Sequence, residues 1–507
     1  MKQPFLKLLC LLLPLLLLSG CWQEAPPQED PFLPSEDLTE EPLSSKEILP
    51  ELLSLPYAPE LTLDPISCSD GMQQVISSLI CEGLFRLGPD LEPIPWLCES
   101  HTYDPETFTY VFTLRSGVRF SDGTPLTGTD VKETLQRAKS SERYGSRLTQ
   151  ISSLTADERT VTVVLSGPNS GFPALLDIPI AKAGTEDAPV GTGPFLFAIE
   201  ASSAWLVANQ IWWRGAQQPI SRIALIEASD QDTMLYRFTS HDVQLITADL
   251  AGTDPISATG SVVYQDVDTT ILQYIGCNVT REPLNDPAFR RLLSQGIDRA
   301  HLVSAFLSGH GTAAQFPVSP ASPLYPSELE VEYSYSDFTA ALSTGAYPPS
   351  RTLTLLVNEE NSFKRSAAQE IAENFSSAGI PIEVKSLPWA EYTAALAAGV
   401  FDLYYGEVKL TADWDLSSLL HTAGPLNFGG WSDPMTDQFL ANYAAAPDRG
   451  LTMKRFCSYF QNQAPILPVC FKSTSVLLQS GVFENLTSTM SEPFYNLTEC
   501  TIYLETP

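Results

Sequence analysis

An α/β fold divided into two or three subdomains is what this sequence predicts, and three observations carry the prediction. At 507 residues the chain is too long for one average core, even with a leader and tether set aside. In its first half, apolar and polar residues alternate in short runs, the period of half-buried strands. Between Arg351 and Gly406 the pattern becomes strand, helix, strand, helix, strand, which requires parallel strands joined by right-handed crossovers.

The N-terminus is expected to lie outside the fold. Lys2 and Lys7 give a weakly basic start, and Phe5 to Leu18 is an almost unbroken Leu-rich run. That is the layout of an export signal, too short for a comfortable transmembrane helix. Leu18-Ser19-Gly20-Cys21 follows and resembles a bacterial lipoprotein signal peptidase site. Residues 1–20 are read as the signal, and Cys21 as the mature N-terminus, lipidated through its sulfur. The body beyond it is expected to be extracytoplasmic and held to the membrane by that lipid only. Residues 21–50 are rich in Pro, Glu, Ser and Asp; such a stretch buries too little apolar surface to offset its ordering entropy and reads as a flexible tether.

From Tyr57 to about Ile199 short strands dominate. Tyr110, Phe112 and Leu114 alternate with Val111, Thr113 and Arg115, and Thr160 to Leu165 alternates again. Ser121-Asp122-Gly123-Thr124 is a turn. Asp130 is read as a helix N-cap with Glu133 three later, and Val131, Leu135 and Ala138 mark one face of that helix. Asp286-Pro287 and Asp298 open two further helices.

The later α/β region runs in order. Leu353, Leu355 and Val357 alternate in a strand. Phe363 to Ala378 carries a helical stripe through Ala367, Ile371 and Phe375, stopped at Gly379. Ile380 to Ser386 is a strand, Trp389 to Ala398 a helix, and Phe401 to Tyr405 a strand. Open α/β sheets bind ligands beyond the carboxyl ends of their strands, so the segment just after Tyr405 is where a binding site is expected.

Composition excludes several functions. A net charge of −31 argues against nucleic acid and anionic headgroups as partners. Seven cysteines remain beyond Cys21, an odd number; Cys457 and Cys470 are candidates for a bridge in an oxidising compartment. No Gly-x-Ser-x-Gly, Ser-x-x-Lys or His-Glu-x-x-His occurs, nor any Gly-Lys dipeptide, so no standard hydrolase, zinc-protease or P-loop motif is present. A non-enzyme without cofactor or metal is expected.

Five segments resemble the family 5 extracellular solute-binding proteins, the binding components of dipeptide, oligopeptide and nickel importers. They are Glu82-Gly83-Leu84, then Phe108 to Asp130 (FTYVFTLRSGVRFSDGTPLTGTD), and Val190 to Phe195 with its Gly-Thr-Gly-Pro turn. Asn209 with Trp212-Trp213-Arg214-Gly215 is the fourth, and Cys277-Asn278 with Pro283 to Arg299 the fifth. They occur in the family's order. The resemblance implies a two-lobed periplasmic-binding-protein-like fold of class II type, with an extra subdomain in the first lobe at about 85–190. Lobe I would comprise 51–268 and 465–507, and lobe II 269–464. It implies a monomer that captures a peptide in an interlobe cleft and delivers it to an ABC permease and ATPase. Alternatives are a nickel-chelate, haem or sugar-oligomer ligand, or a peptide-sensing lipoprotein that imports nothing.

The resemblance also suggests ligand-binding residues. Trp389, thirteen residues before Asp402, would present a flat apolar wall. Asp413 matches the aspartate that meets a peptide ammonium, a carboxylate needing a cation in a dry site. It lies about two residues late, and Gly406-Glu407 stands where Gly-Trp is usual, so Asp415 and Glu407 are rivals for the role. His421 is a candidate ligand for a chelated metal, and Lys364 and Arg365 are candidates for a peptide carboxylate.

Overall fold

Alternation along the chain becomes burial in the fold. In the strand Thr109–Leu114 the residues Tyr110, Phe112 and Leu114 point into a core and their neighbours do not. The computed structural model describes residues 49–215, 217–344 and 351–505; Cys21, the leader and nearly all of the tether lie outside them. Thr109–Leu114 pairs antiparallel with Cys98–Asp104 on one side and Thr160–Leu165 on the other, and Ile151–Ala156 completes a four-stranded sheet. The helix Gly128–Lys139 lays Val131, Leu135 and Ala138 on it. Its cap sits three residues earlier than the sequence suggested. Thr127 is the N-cap, and the Asp130 carboxylate, in the first turn, accepts from the Thr127 backbone N–H (2.9 Å) and hydroxyl (2.6 Å). A carboxylate there also faces the positive end of the helix dipole.

A second body is built on the sheet Ser54–Tyr57, Arg222–Glu227, Ser203–Ala208 and Phe195–Glu200. Against it lies the helix Gly71–Ile80, capped by Asp70. Three of the recognisable segments meet at the seam between this body and the antiparallel subdomain. The buried Glu82 carboxylate accepts from the indole N–H groups of Trp96 (2.8 Å), Trp212 (3.1 Å) and Trp213 (2.8 Å) and from the Thr192 hydroxyl (2.8 Å). Burial pushes its pKa up and the four donors draw it part of the way back. Gly191 and Gly193 flank Thr192 because the chain passes against the Ile80 carbonyl. A Cβ at Gly191 would stand 1.9 Å from that oxygen, and one at Gly193 2.7 Å. Gly123 serves a turn, at φ +87. The motifs are thus one packed and hydrogen-bonded joint.

The third body is the α/β unit. Leu353–Asn358 lies parallel to both Ile382–Leu387 and Leu403–Lys409, with the helices Ser362–Ser377 and Trp389–Ala397 as crossovers. Leu353, Leu355 and Val357 face one core with Ala367, Ile371 and Phe375; Leu356 faces another with Tyr392 and Leu396. A sheet covered on both faces buries its strands almost wholly. Asp286 and Asp298 cap the helices Pro287–Gln295 and Arg299–Phe306. Asp402, buried beside the sheet, accepts from Arg351 through two nitrogens (2.7 Å each) and from the Thr354 backbone (2.9 Å).

Two long strands join the bodies. Val262–Cys277 and Ile466–Gln479 pair antiparallel from Val262 opposite Gln479 to Gly276 opposite Ile466. At one end Leu245–Ala248 adds to this ribbon, at the other Leu403–Lys409. Val267 and Val476–Leu478 belong to the core of the Ser54 sheet, whereas Ile275, Leu467 and Val469 belong to that of the α/β unit. Between them the register breaks: Asp268, Thr269 and Thr270 stand where the partner strand offers only Ser473. The chain therefore first crosses between the bodies at 268–270. It crosses back at 472–474, later than the boundary at 464/465 expected from sequence, because Ile466–Phe471 still packs in the α/β unit. Cys457 and Cys470 are unbridged and pack in different cores, as all seven cysteines among the described residues are free and buried.

Candidate functional site

Where the three bodies meet, a crevice of about 450 Å³ opens. Val75, Val267 and Val476 of the core under the Ser54 sheet line it, with Tyr144 of the antiparallel subdomain and Leu410 of the α/β unit. Its hinge wall is the irregular stretch Thr269–Thr270. There the Thr270 hydroxyl donates to the Leu410 carbonyl at 2.7 Å, and the Thr269 hydroxyl donates to the Lys472 carbonyl. Lys409–Ala412 forms the wall on the α/β side. The strand Leu403–Lys409 runs four residues past the Tyr405 end expected from the sequence, so this wall starts at the carboxyl end of a parallel strand, where the topology rule places ligands.

The charges in this crevice run against those of the chain. The whole sequence carries 60 acidic and 29 basic residues, yet the charged residues lining the crevice are Arg143, Arg147, Lys409 and Asp177. Asp177 is already engaged: it pairs with Arg147 and accepts from the Ser491 hydroxyl at 3.1 Å. Arg143 lies 4.8 Å above the Tyr144 ring and donates to the Pro65 and Cys68 carbonyls at 3.4 and 3.3 Å, with no carboxylate partner among the described residues. The Lys409 ammonium has no hydrogen-bond or ion-pair partner among the described residues either. Its pKa is lowered, first by loss of solvation and then by repulsion from Arg147 and Arg143. Ser77, 2% exposed, also lines the crevice, and its hydroxyl has no partner among the described residues.

The residues singled out in the sequence take separate places. Asp413 directly follows the crevice wall and is buried. Its carboxylate accepts from the Thr411 hydroxyl (2.5 Å) and from Asn169 Nδ2 (2.8 Å), which reaches over from the antiparallel subdomain. Its backbone carbonyl takes the Tyr443 hydroxyl at 3.0 Å and a bond from Arg449. Burial pushes the Asp413 pKa up, the Thr411 bond offsets part of this, and Asp415 adds to the rise. Asp415 accepts from the Ser417 backbone at 2.9 Å, a turn bond. Glu407 takes Gln273 Nε2 at 2.9 Å and Lys364 at 3.2 Å, with Lys472 at 3.7 Å. Burial alone would raise its pKa, but the two lysines outweigh that and hold it below the usual range.

Trp389 is 58% exposed at the start of its helix, stacked on Tyr392, and lines no part of the crevice. His421 accepts from the Ala423 backbone at 3.0 Å, and no group of three or more metal-ligating side chains occurs among the described residues. Lys364 is consumed by Glu407, and Arg365 lies on the outer face of its helix. Sequence reasoning missed Arg143, Arg147, Lys409 and Ser77. They come from three separate stretches, and only folding gathers them.

Two lobes joined by a pair of crossing strands, with a polar crevice at the crossing, define a solute-binding protein of the two-lobed class. Residues 92–427 match the family described as bacterial extracellular solute-binding proteins, family 5; the chain belongs to this family. The glutathione-binding protein GsiB of Pectobacterium atrosepticum is 25% identical over 425 residues, spanning 76% of this chain and 81% of that protein. The crystal structure of a nickel ABC transporter protein from Bacillus halodurans superposes with a TM-score of 0.74 at 20% identity, covering 90% of this chain and 98% of that one. The murein tripeptide binding protein MppA, in its unliganded open form, gives 0.75 at 18% identity, covering 90% and 99%. The family and fold expected from the sequence are borne out. No helix of the described residues is long and apolar enough to cross a membrane.

Proposed function

We propose that this chain is the capture component of an ABC importer, anchored through Cys21 and binding short peptides in the crevice between its lobes. The observation that carries the reading is the crevice itself. It is a cavity whose walls come from three cores at once, and its hinge wall is a place where the pairing of the two connecting strands lapses. A solute held there touches both lobes, so its contacts favour the arrangement that surrounds it. The names of relatives that bind glutathione and a murein tripeptide support a peptide. Main-chain groups and threonine hydroxyls would read the peptide backbone. Asp413 enters the proposal by anchoring the Lys409–Ala412 wall to Asn169. Asp415 shapes the turn after it, and Glu407 keeps the lysines of the crossing neutralised. A permease and ATPase are the partners this role requires.

Native mass spectrometry of the purified protein tests the reading. A heterogeneous set of short peptides, released intact on denaturation, is the expected result. A single metal complex would move the chain to chelate uptake, and conversion of the bound solute on incubation would end the non-enzymatic account.

A further inference from the structure

We propose that the two lobes latch directly onto each other where the crevice wall ends at Ala412: Leu91 plugs into the core of the α/β unit, Asn169 clips onto Asp413, and withdrawal of this plug gates the exchange of solute. The latch is independent of what is captured; its role as a gate rests on the capture reading above.

Leu91 is the starting observation. It belongs to the turn 88–92, which joins the antiparallel strands Phe85–Leu87 and Pro93–Pro95 of the first lobe. The turn is closed by the Gly88 N–H on the Glu92 carbonyl at 3.0 Å and by the Leu91 N–H on the Gly88 carbonyl at 2.9 Å. A leucine at such a tip ordinarily meets water. At φ +63 it also occupies the left-handed region that glycine or asparagine fills at lower cost. Yet Leu91 is 1% exposed, and it packs in a cluster with Trp414, Leu416 and Phe456 of the α/β lobe. Among the described residues it is the one member of that cluster from the first lobe. A strained backbone whose side chain is buried in another body points to a function for the contact.

A polar contact joins the same two bodies. Asn169 Nδ2 donates to the Asp413 carboxylate at 2.8 Å, and the next N–H, of Ser170, donates to the Ala444 carbonyl at 2.8 Å. The loop behind this clip is itself fixed. Asn169 Oδ1 accepts from the Gly171 N–H at 3.0 Å, and its carbonyl accepts from the buried Tyr110 hydroxyl at 2.8 Å. Gly171 brings the chain against Arg449, where a Cβ would stand 2.6 Å from the guanidinium carbon. Arg449 in turn donates to the Asp413 carbonyl and the Tyr443 hydroxyl. Glu92, next to the plug, faces the same Arg449 and the Ser322 hydroxyl. Leu87 and Ala174 of the first lobe pack with Ala412. Because plug, clip and apolar contact link the same bodies, the lobes cannot part unless all of them break. Opening would bare Leu91 and its socket to water together, so the contacts favour the closed posture by themselves.

Spin labels at Gln136→Cys and Gln369→Cys test this by pulsed electron resonance on the full-length protein in detergent. Both positions are exposed, on the helices Gly128–Lys139 and Ser362–Ser377, and the native cysteines among the described residues are buried. Protein dialysed free of solute, as native mass spectrometry verifies, is expected to show one narrow, short distance. Leu91→Gly removes the plug at a backbone angle that suits glycine, and thermal melting verifies its fold. It is expected to add a longer distance and to release a bound tripeptide library about tenfold faster or more in stopped flow. Leu91→Met, which refills the socket, is expected to keep the native distance and rate. A dialysed native protein that is long until tripeptides are added, or an unchanged distance in Leu91→Gly, overturns the latch and leaves capture standing. A longer distance in Leu91→Gly with unchanged release upholds the latch and overturns the gate. A longer distance with no tripeptide binding by either protein upholds the latch and overturns the peptide reading.

Discussion

Replacing Glu82 probes the joint that gives this chain its recognisable segments. Four donors converge on one buried carboxylate: three indole N–H groups and one hydroxyl. Indoles only donate, whereas the Thr192 hydroxyl can also turn to accept. In Glu82→Gln the amide oxygen keeps two donors and the amide NH2 confronts the other two. Its cheaper orientation faces Thr192 and Trp213, because the hydroxyl reverses and one indole alone is stranded. A buried donor without a partner costs about 1–3 kcal/mol, which sets the loss near 2 kcal/mol. Glu82→Ala strands all three indoles. A small neighbouring cavity of about 40 Å³ lets a water recover part of this, giving a loss of about 4 kcal/mol. Urea denaturation followed by intrinsic fluorescence reads both values, since the affected tryptophans are the reporters. Glu82→Gln combined with Trp213→Phe removes the stranded indole, so its cost should fall below the sum of the single changes. Additive costs, or a Glu82→Ala loss under about 0.5 kcal/mol, would refute the reasoning.

Two further outcomes follow from the structure. Asp402 is held below the usual carboxylate range: burial opposes this, but Arg351 and the Thr354 backbone outweigh it. A depressed folded pKa stabilises the fold above the unfolded value, near 3.9, and that contribution is lost as pH falls through the folded value. Asp402→Asn should cost about 2 kcal/mol at neutral pH, discounted for its half-exposed arginines, and flatten the melting-temperature profile below pH ~4; an acid limb as steep as the native one would contradict this. Trp389→Ala should leave tripeptide affinity within about twofold and stability within about 0.5 kcal/mol, as an exposed position away from the crevice implies; a tenfold loss of affinity in titration would return the ring to the site.

How much was legible differs between fold and site. Periodicity sufficed for Thr109–Leu114, Thr160–Leu165 and the run from Leu353 to Tyr405, because burial on one face or both leaves a direct trace in residue order; the last strand's extension to Lys409 did not show. Asp286 and Asp298 were readable as caps for the same local reason. The cap at Thr127 was misplaced because two threonines and an acid, Thr127, Thr129 and Asp130, lie within one turn, and only geometry chooses among them. The return crossing was expected a few residues early, at 464/465, because one strand serves two cores with no break in its apolar pattern. The segment after Tyr405, singled out from the strand order, lines part of the crevice at Lys409–Ala412, but the side chains across from it could not be read from the sequence. Asp413 looked like a free acid, since its partner Asn169 lies 244 positions away in the chain. Lys409, Arg143 and Arg147 carried no motif at all.

The ladder shared by Val262–Cys277 and Ile466–Gln479 has a mechanical consequence. Two independent tethers would let the lobes slide past one another, whereas a hydrogen-bonded ribbon resists shear along its whole length. The compliant element is the short interval near Thr269 and Thr270, where three residues face one. Relative movement is thereby reduced to a swivel about that point, and a solute held in the proposed crevice would lie almost on the axis. Groups close to a pivot travel little while distant rims sweep far, so a guest weighing a few hundred daltons can govern the posture of a far larger body.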